Sequence, residues 1–112
     1  MTNFWVTERE AGESRVVIDV HGELGLPDVG RLEETLEVAG RERSIVVGLE
    51  GCEFVDSLAL AALLRARDRV AADGGNLVLG GPTGQVRRVL DVSGLDLQGL
   101  VFDSVDEALD RI

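Results

Sequence analysis

The clearest alternation along the chain lies at residues 15–21, where Val16, Ile18 and Val20 fall on one face and Val17, Asp19 and His21 on the other. A period of two is that of a strand, and Phe4-Trp5-Val6-Thr7 before it reads as a shorter one, joined by a turn at residues 10–13. These two are expected to pair antiparallel at one edge of a sheet. Residues 22–26 then read as a loop. Pro27 and Asp28 open a helix, in which Val29, Leu32, Leu36 and Ala39 recur every three or four positions and Glu33, Glu34 and Glu37 face outward. Gly40 ends it. The run Ser44-Ile45-Val46-Val47-Gly48-Leu49 is almost continuously apolar, as a central strand covered on both faces must be.

A second helix is expected from Ser57 to about residue 72, after a connection through residues 51–55. Leu60, Leu63, Leu64, Val70 and Ala71 would face the sheet. Leu58, Ala61, Ala62, Arg65 and Arg69 form another stripe, apolar at its start and basic at its end, which is suited to docking a protein. A strand at residues 76–79, a helix buried through Val86, Val89 and Leu90, a short strand at residues 100–102 and a closing helix carrying Val105, Ala108, Leu109 and Ile112 complete the chain. The predicted fold is α/β, in the order β-β-α-β-α-β-α-β-α. Right-handed crossovers make its sheet mixed and mostly parallel, with helices packed against it.

Asp56 and Ser57 stand where the strand pattern becomes helical, and both residue types accept hydrogen bonds from the unpaired N–H groups of a first helical turn. The positive end of a helix beneath a serine hydroxyl is a place for a phosphate.

Composition narrows the function. At 112 residues the chain is expected to be a single domain, 1–112, and a net charge of −10 argues against nucleic acid or an anionic membrane as partner. The longest apolar run extends only from Leu58 to Leu64, and Met1-Thr2-Asn3-Phe4-Trp5 lacks a secretory pattern, so a cytoplasmic protein is expected. One cysteine, Cys52, and one histidine, His21, supply neither a disulfide nor a metal set. Ser57 has no histidine beside it, and the glycine-rich residues 80–84 lack both the spacing and the lysine of a phosphate-binding loop. The expectation is therefore no catalytic residue, no metal and no cofactor.

Val55-Asp56-Ser57-Leu58-Ala59-Leu60, preceded by a strand and Gly22-Glu23-Leu24 and followed by Val86-Arg87-Arg88-Val89-Leu90-Asp91-Val92-Ser93-Gly94-Leu95, resembles the STAS family of anti-sigma factor antagonists from about residue 16 to residue 109. The resemblance implies a small cytoplasmic α/β protein that binds an anti-sigma factor serine kinase, frees a sigma factor, and is switched off when the kinase phosphorylates the serine after the aspartate, here Ser57. Together with the stripe on the second helix, it places the expected partner contacts at Gly25, Asp28, Asp56, Ser57, Leu58, Ala61, Ala62 and Arg65. The chain departs from the pattern at Leu58 and Ala59, where the family carries a second hydroxyl and a glycine, and at Gly25, where it commonly carries an acid. The alternative is a non-phosphorylated adaptor subunit of a larger assembly such as a transporter. A monomer is expected in isolation, because each apolar stripe except the patch at Leu58 has a sheet to cover.

Overall fold

The computed structural model describes residues 3–41 and 43–112. Six strands form one sheet: β1 (Phe4–Glu10), β2 (Arg15–Leu24), β3 (Ser44–Gly48), β4 (Cys52–Val55), β5 (Leu77–Gly80) and β6 (Val101–Phe102). Four helices, α1 (Val29–Ala39), α2 (Ser57–Ala72), α3 (Gly84–Ser93) and α4 (Val105–Arg111), pack against it. The path across the sheet is β1-β2-β3-β5-β6, with β1 antiparallel to β2 and the other pairs parallel. The near-continuous apolar stretch lies in β3, between β2 and β5, where Ile45, Val46 and Val47 are all fully buried.

The alternation in β2 divides the core. Val16, Ile18 and Val20 join Ile45, Val47, Leu77 and Leu79 beneath α1, α2 and α3, while Val17 joins Val46 and Val78 beneath α4. Burying such side chains favours folding by about 1.5–3 kcal/mol each, so sheet order and helix placement follow largely from which faces are apolar.

Three segments differ from the sequence expectation. β1 continues to Glu10 rather than stopping near residue 7, because its polar residues 8–10 keep pairing with residues 16–18. Residues 22–24, expected as loop, belong to β2. There they pair with β4, a strand expected only as a connection, so the strand and helix order is β-β-α-β-β-α-β-α-β-α. The register slips between Gly22 and Glu23; Gly22 has φ +84, and a Cβ there would collide with the Asn3 carbonyl oxygen. The third difference is at Pro27 and Asp28, which form a 3-10 turn, Leu26–Asp28, ahead of α1.

Candidate functional site

β4 delivers the chain to Asp56, which caps α2. Its Oδ1 accepts the Ala59 N–H at 2.8 Å and its Oδ2 accepts the Leu26 N–H at 2.9 Å. One carboxylate thus closes the first turn of α2 and ties it to the loop after β2. Gly25 permits this approach, since a Cβ on it would sit 3.2 Å from Asp56 Oδ2. The loop is closed on itself by Asp28, whose backbone N–H donates to the Gly25 carbonyl at 2.9 Å and whose Oδ2 accepts the Gly25 N–H at 3.3 Å.

Ser57 therefore occupies the first helical position rather than the cap. It is exposed, and its hydroxyl has no hydrogen-bond partner among the described residues. The capping role that either residue could fill has gone to Asp56. This leaves a free hydroxyl at the positive end of a helix of 16 residues.

The surroundings of that hydroxyl are apolar. Leu58 is 51% exposed, Leu26 60%, Phe54 39% and Val92 83%. Between α2 and α3 an open groove of about 560 Å³ is lined by Phe54, Val55, Leu60, Val89 and Val92, with Ser57 and Asp56 at one side and Gln85, Arg88 and Ser93 at the other. On the far wall the Gln85 side chain takes both backbone groups of Val55: its Oε1 accepts the Val55 N–H at 3.1 Å and its Nε2 donates to the Val55 carbonyl at 3.2 Å.

The structure brings Gly25, Asp56, Ser57 and Leu58 to one end of the molecule, with Ala61 half-buried one turn further along α2. Two of the expected partner contacts are corrected. Ala62 is fully buried and belongs to the core, so it offers no surface. Asp28 is buried as well and serves the loop it closes. The lower end of the expected docking stripe turns toward α1: Arg65 pairs with Glu33 at 2.6 Å, and Arg69 lines a cleft with Leu36, Glu37 and Arg41. Ala71, expected to face the sheet, is exposed, and Ala59 and Ala66 are buried in its stead.

Residues that sequence reasoning missed are Phe54, Gln85, Arg88, Val92 and Leu26. Val92 carried a legible signal, being a valine in α3 off the stripe of Val86, Val89 and Leu90; the roles of Gln85 and Phe54 depend on β4 and had none. His21 is held elsewhere: it stacks on Trp5 at 5.2 Å, shares a hydrogen bond with Thr7 at 3.1 Å, and lies on the face of β2 opposite Val20. Burial pushes the Cys52 thiol up from its ordinary range, and the thiol donates to the Phe54 carbonyl. Among the described residues no helix is long and apolar enough to cross a membrane.

Three relatives bear on this arrangement. A Thermotoga neapolitana protein, named as a candidate anti-sigma factor antagonist and homologue of TM1081, is 31% identical over 68 residues; the match covers 61% of this chain and 60% of that protein's length. The anti-sigma factor antagonist SpoIIAA is 25% identical, with a TM-score of 0.78 over 96% of this chain and 95% of its own in the unphosphorylated form. Its phosphorylated form, described as a Bacillus cell fate determinant, gives 0.73 over 96% and 98%. A sulfate transporter family protein from Wolinella succinogenes shares the fold at 19% identity, TM-score 0.76, over 92% and 88%. Residues 7–101 match the family described as Mlab, STAS domain, and the chain belongs to the STAS-domain family.

Proposed function

We propose that this chain acts as a single-domain, cytoplasmic anti-sigma factor antagonist, monomeric when free and without catalytic activity of its own. Its Ser57 face binds an anti-sigma factor kinase, and phosphorylation of Ser57 by that kinase ends the contact. The observation that carries this reading is the free, exposed Ser57 hydroxyl at the N-terminus of α2, next to the exposed Leu58 and on the apolar groove that Phe54 and Val92 line. Its likeness to SpoIIAA, which has been solved with and without phosphate, supports it.

The physics of the switch is local. A phosphate adds roughly −1.5 to −2 charges at neutral pH. The helix N-terminus favours that charge by only about 0.3–1 kcal/mol, while Asp56 is the adjacent residue and Glu53 lies on β4 just before it. A partner seated on Leu58 and Phe54 would have to strip water from the phosphate, so the charge opposes docking far more than it opposes folding.

Leu58 and Ala59 occupy places where the family pattern has a hydroxyl and a glycine. Ala59 is fully buried and its N–H is the one Asp56 caps, whereas Leu58 enlarges the apolar contact surface. Incubation of the chain with its captured partner and ATP, followed by phosphate mapping by mass spectrometry, tests the reading. Phosphate on Ser57, and its absence in Ser57→Ala, is the expected result. An active kinase that leaves Ser57 unmodified assigns the chain to the adaptor class instead.

A further inference from the structure

Among the described residues Gln85 is the one α3 side chain hydrogen-bonded to the strand leading into Ser57, and its contact is not a packing contact. On one side β4 pairs with β2, with Leu24 opposite Val55 and the Asp56 N–H donating to the Leu24 carbonyl at 3.3 Å. On the other side no strand among the described residues continues the sheet at Val55. There the Gln85 amide supplies an acceptor for the Val55 N–H and a donor for the Val55 carbonyl, as a neighbouring strand would. The last residue of β4 is thus held from both sides, two positions before Ser57. Gln85 also lines the groove between α2 and α3, so whatever enters that groove meets the same amide.

We propose that Gln85 is the positioning residue of Ser57: its two hydrogen bonds to Val55 fix the junction of β4 and α2, and they make the presentation of the Ser57 hydroxyl depend on α3. This rests on the reading of Ser57 as the regulated residue. Its geometry requires both an acceptor and a donor at the same side-chain end. Alanine removes both, glutamate at neutral pH keeps only the acceptor and sets a negative charge against the Val55 carbonyl, and protonated glutamic acid restores a donor. Asp56 continues to cap α2 in each variant at neutral pH, so the helix itself persists while its entry loosens.

Amide hydrogen exchange and backbone relaxation, measured by NMR on the full chain, read this directly. In Gln85→Ala the protection of Val55 should fall at least about fivefold, the loss expected for hydrogen bonds of ordinary net strength. The Ser57 amide should show new slow-exchange broadening, and Val46 and Val47 should keep their protection. In Gln85→Glu the carboxylate still accepts the Val55 N–H but repels the Val55 carbonyl, so the Ser57 broadening should appear at neutral pH and recede, relative to the wild type at the same pH, as the carboxyl protonates below about pH 4, a profile that loss of packing alone does not produce. Unchanged Val55 protection in Gln85→Ala overturns the clamp. Altered Val55 with an unaltered Ser57 signal overturns the positioning role, as does a pH-independent Gln85→Glu. Because the readout uses the free protein, it decides the role of Gln85 separately from whether Ser57 is phosphorylated, which phosphate mapping decides.

Discussion

Replacing Asp56 by alanine removes both hydrogen bonds of its carboxylate, and the geometry allows the loss to be sized. The Ala59 N–H at 2.8 Å is a helix-capping bond, whose removal costs about 0.5–2 kcal/mol. The Leu26 N–H at 2.9 Å is an exposed bond to an ionised acceptor, and water takes its place in part, which leaves on the order of 1 kcal/mol. Together the change should destabilise the fold by roughly 1.5–3 kcal/mol, or about 6–13 °C in Tm for a domain of this size. Ser57→Ala should move Tm by no more than about 2 °C, since the Ser57 side chain makes no hydrogen bond among the described residues. Thermal unfolding followed by circular dichroism, with urea titration at 25 °C, measures both. If Ser57→Ala lowers stability as much as Asp56→Ala, the serine is the cap, its hydroxyl is engaged, and the account of a free phosphoacceptor fails.

Ala61→Glu should weaken partner binding with little change in unfolding, whereas Ala62→Glu, one residue on and fully buried, should leave no cooperative unfolding transition near that of the wild type; equal behaviour of the two would mean that the face of α2 is wrongly assigned. Gly48→Ala puts a Cβ onto the Asp19 carboxylate and 3.2 Å from Val105 Cγ2, so overpacking should destabilise by about 1–3 kcal/mol in denaturant titration. Cys52, held protonated by burial, should react with a thiol reagent only as the protein opens. Because its folded pKa lies above its unfolded one, the stability it contributes is present below the unfolded value and is lost as pH rises through that value toward the folded one. Cys52→Ala should flatten the fall in Tm expected on the alkaline side of pH 9.0.

Legibility in the sequence followed the range of the interactions. β2 and β3 could be read because burial on one face or both leaves its period in the residues themselves, and α1 could be read because Leu32, Leu36 and Ala39 fall on one stripe. β4 could not. Its burial pattern is in, out, out, in, its partner strand slips register at Gly22, and its last backbone groups are satisfied by a side chain 30 residues away. Alanines misled the reading of α2 for a related reason: Ala61, Ala62 and Ala71 have equal helix propensity, and only the position of α1 alongside decides which is buried. At the site, Asp56 and Ser57 were identifiable as a helix start, but which of them caps was decided by the Leu26 N–H, delivered by a loop far away in sequence. The apolar groove needed α3 placed beside α2 and had no local signature beyond Val92.

The central claim is that charge at Ser57 governs docking of the partner while leaving the fold intact. Isothermal titration of the purified anti-sigma factor kinase with the unmodified chain, and with the chain carrying phosphoserine at position 57, measures it most directly. The phosphorylated chain should bind at least about a hundredfold more weakly, corresponding to roughly 3 kcal/mol, with a Tm within about 3 °C of the unmodified form. Equal affinities of the two forms, or a phosphorylated chain that no longer folds, would contradict it.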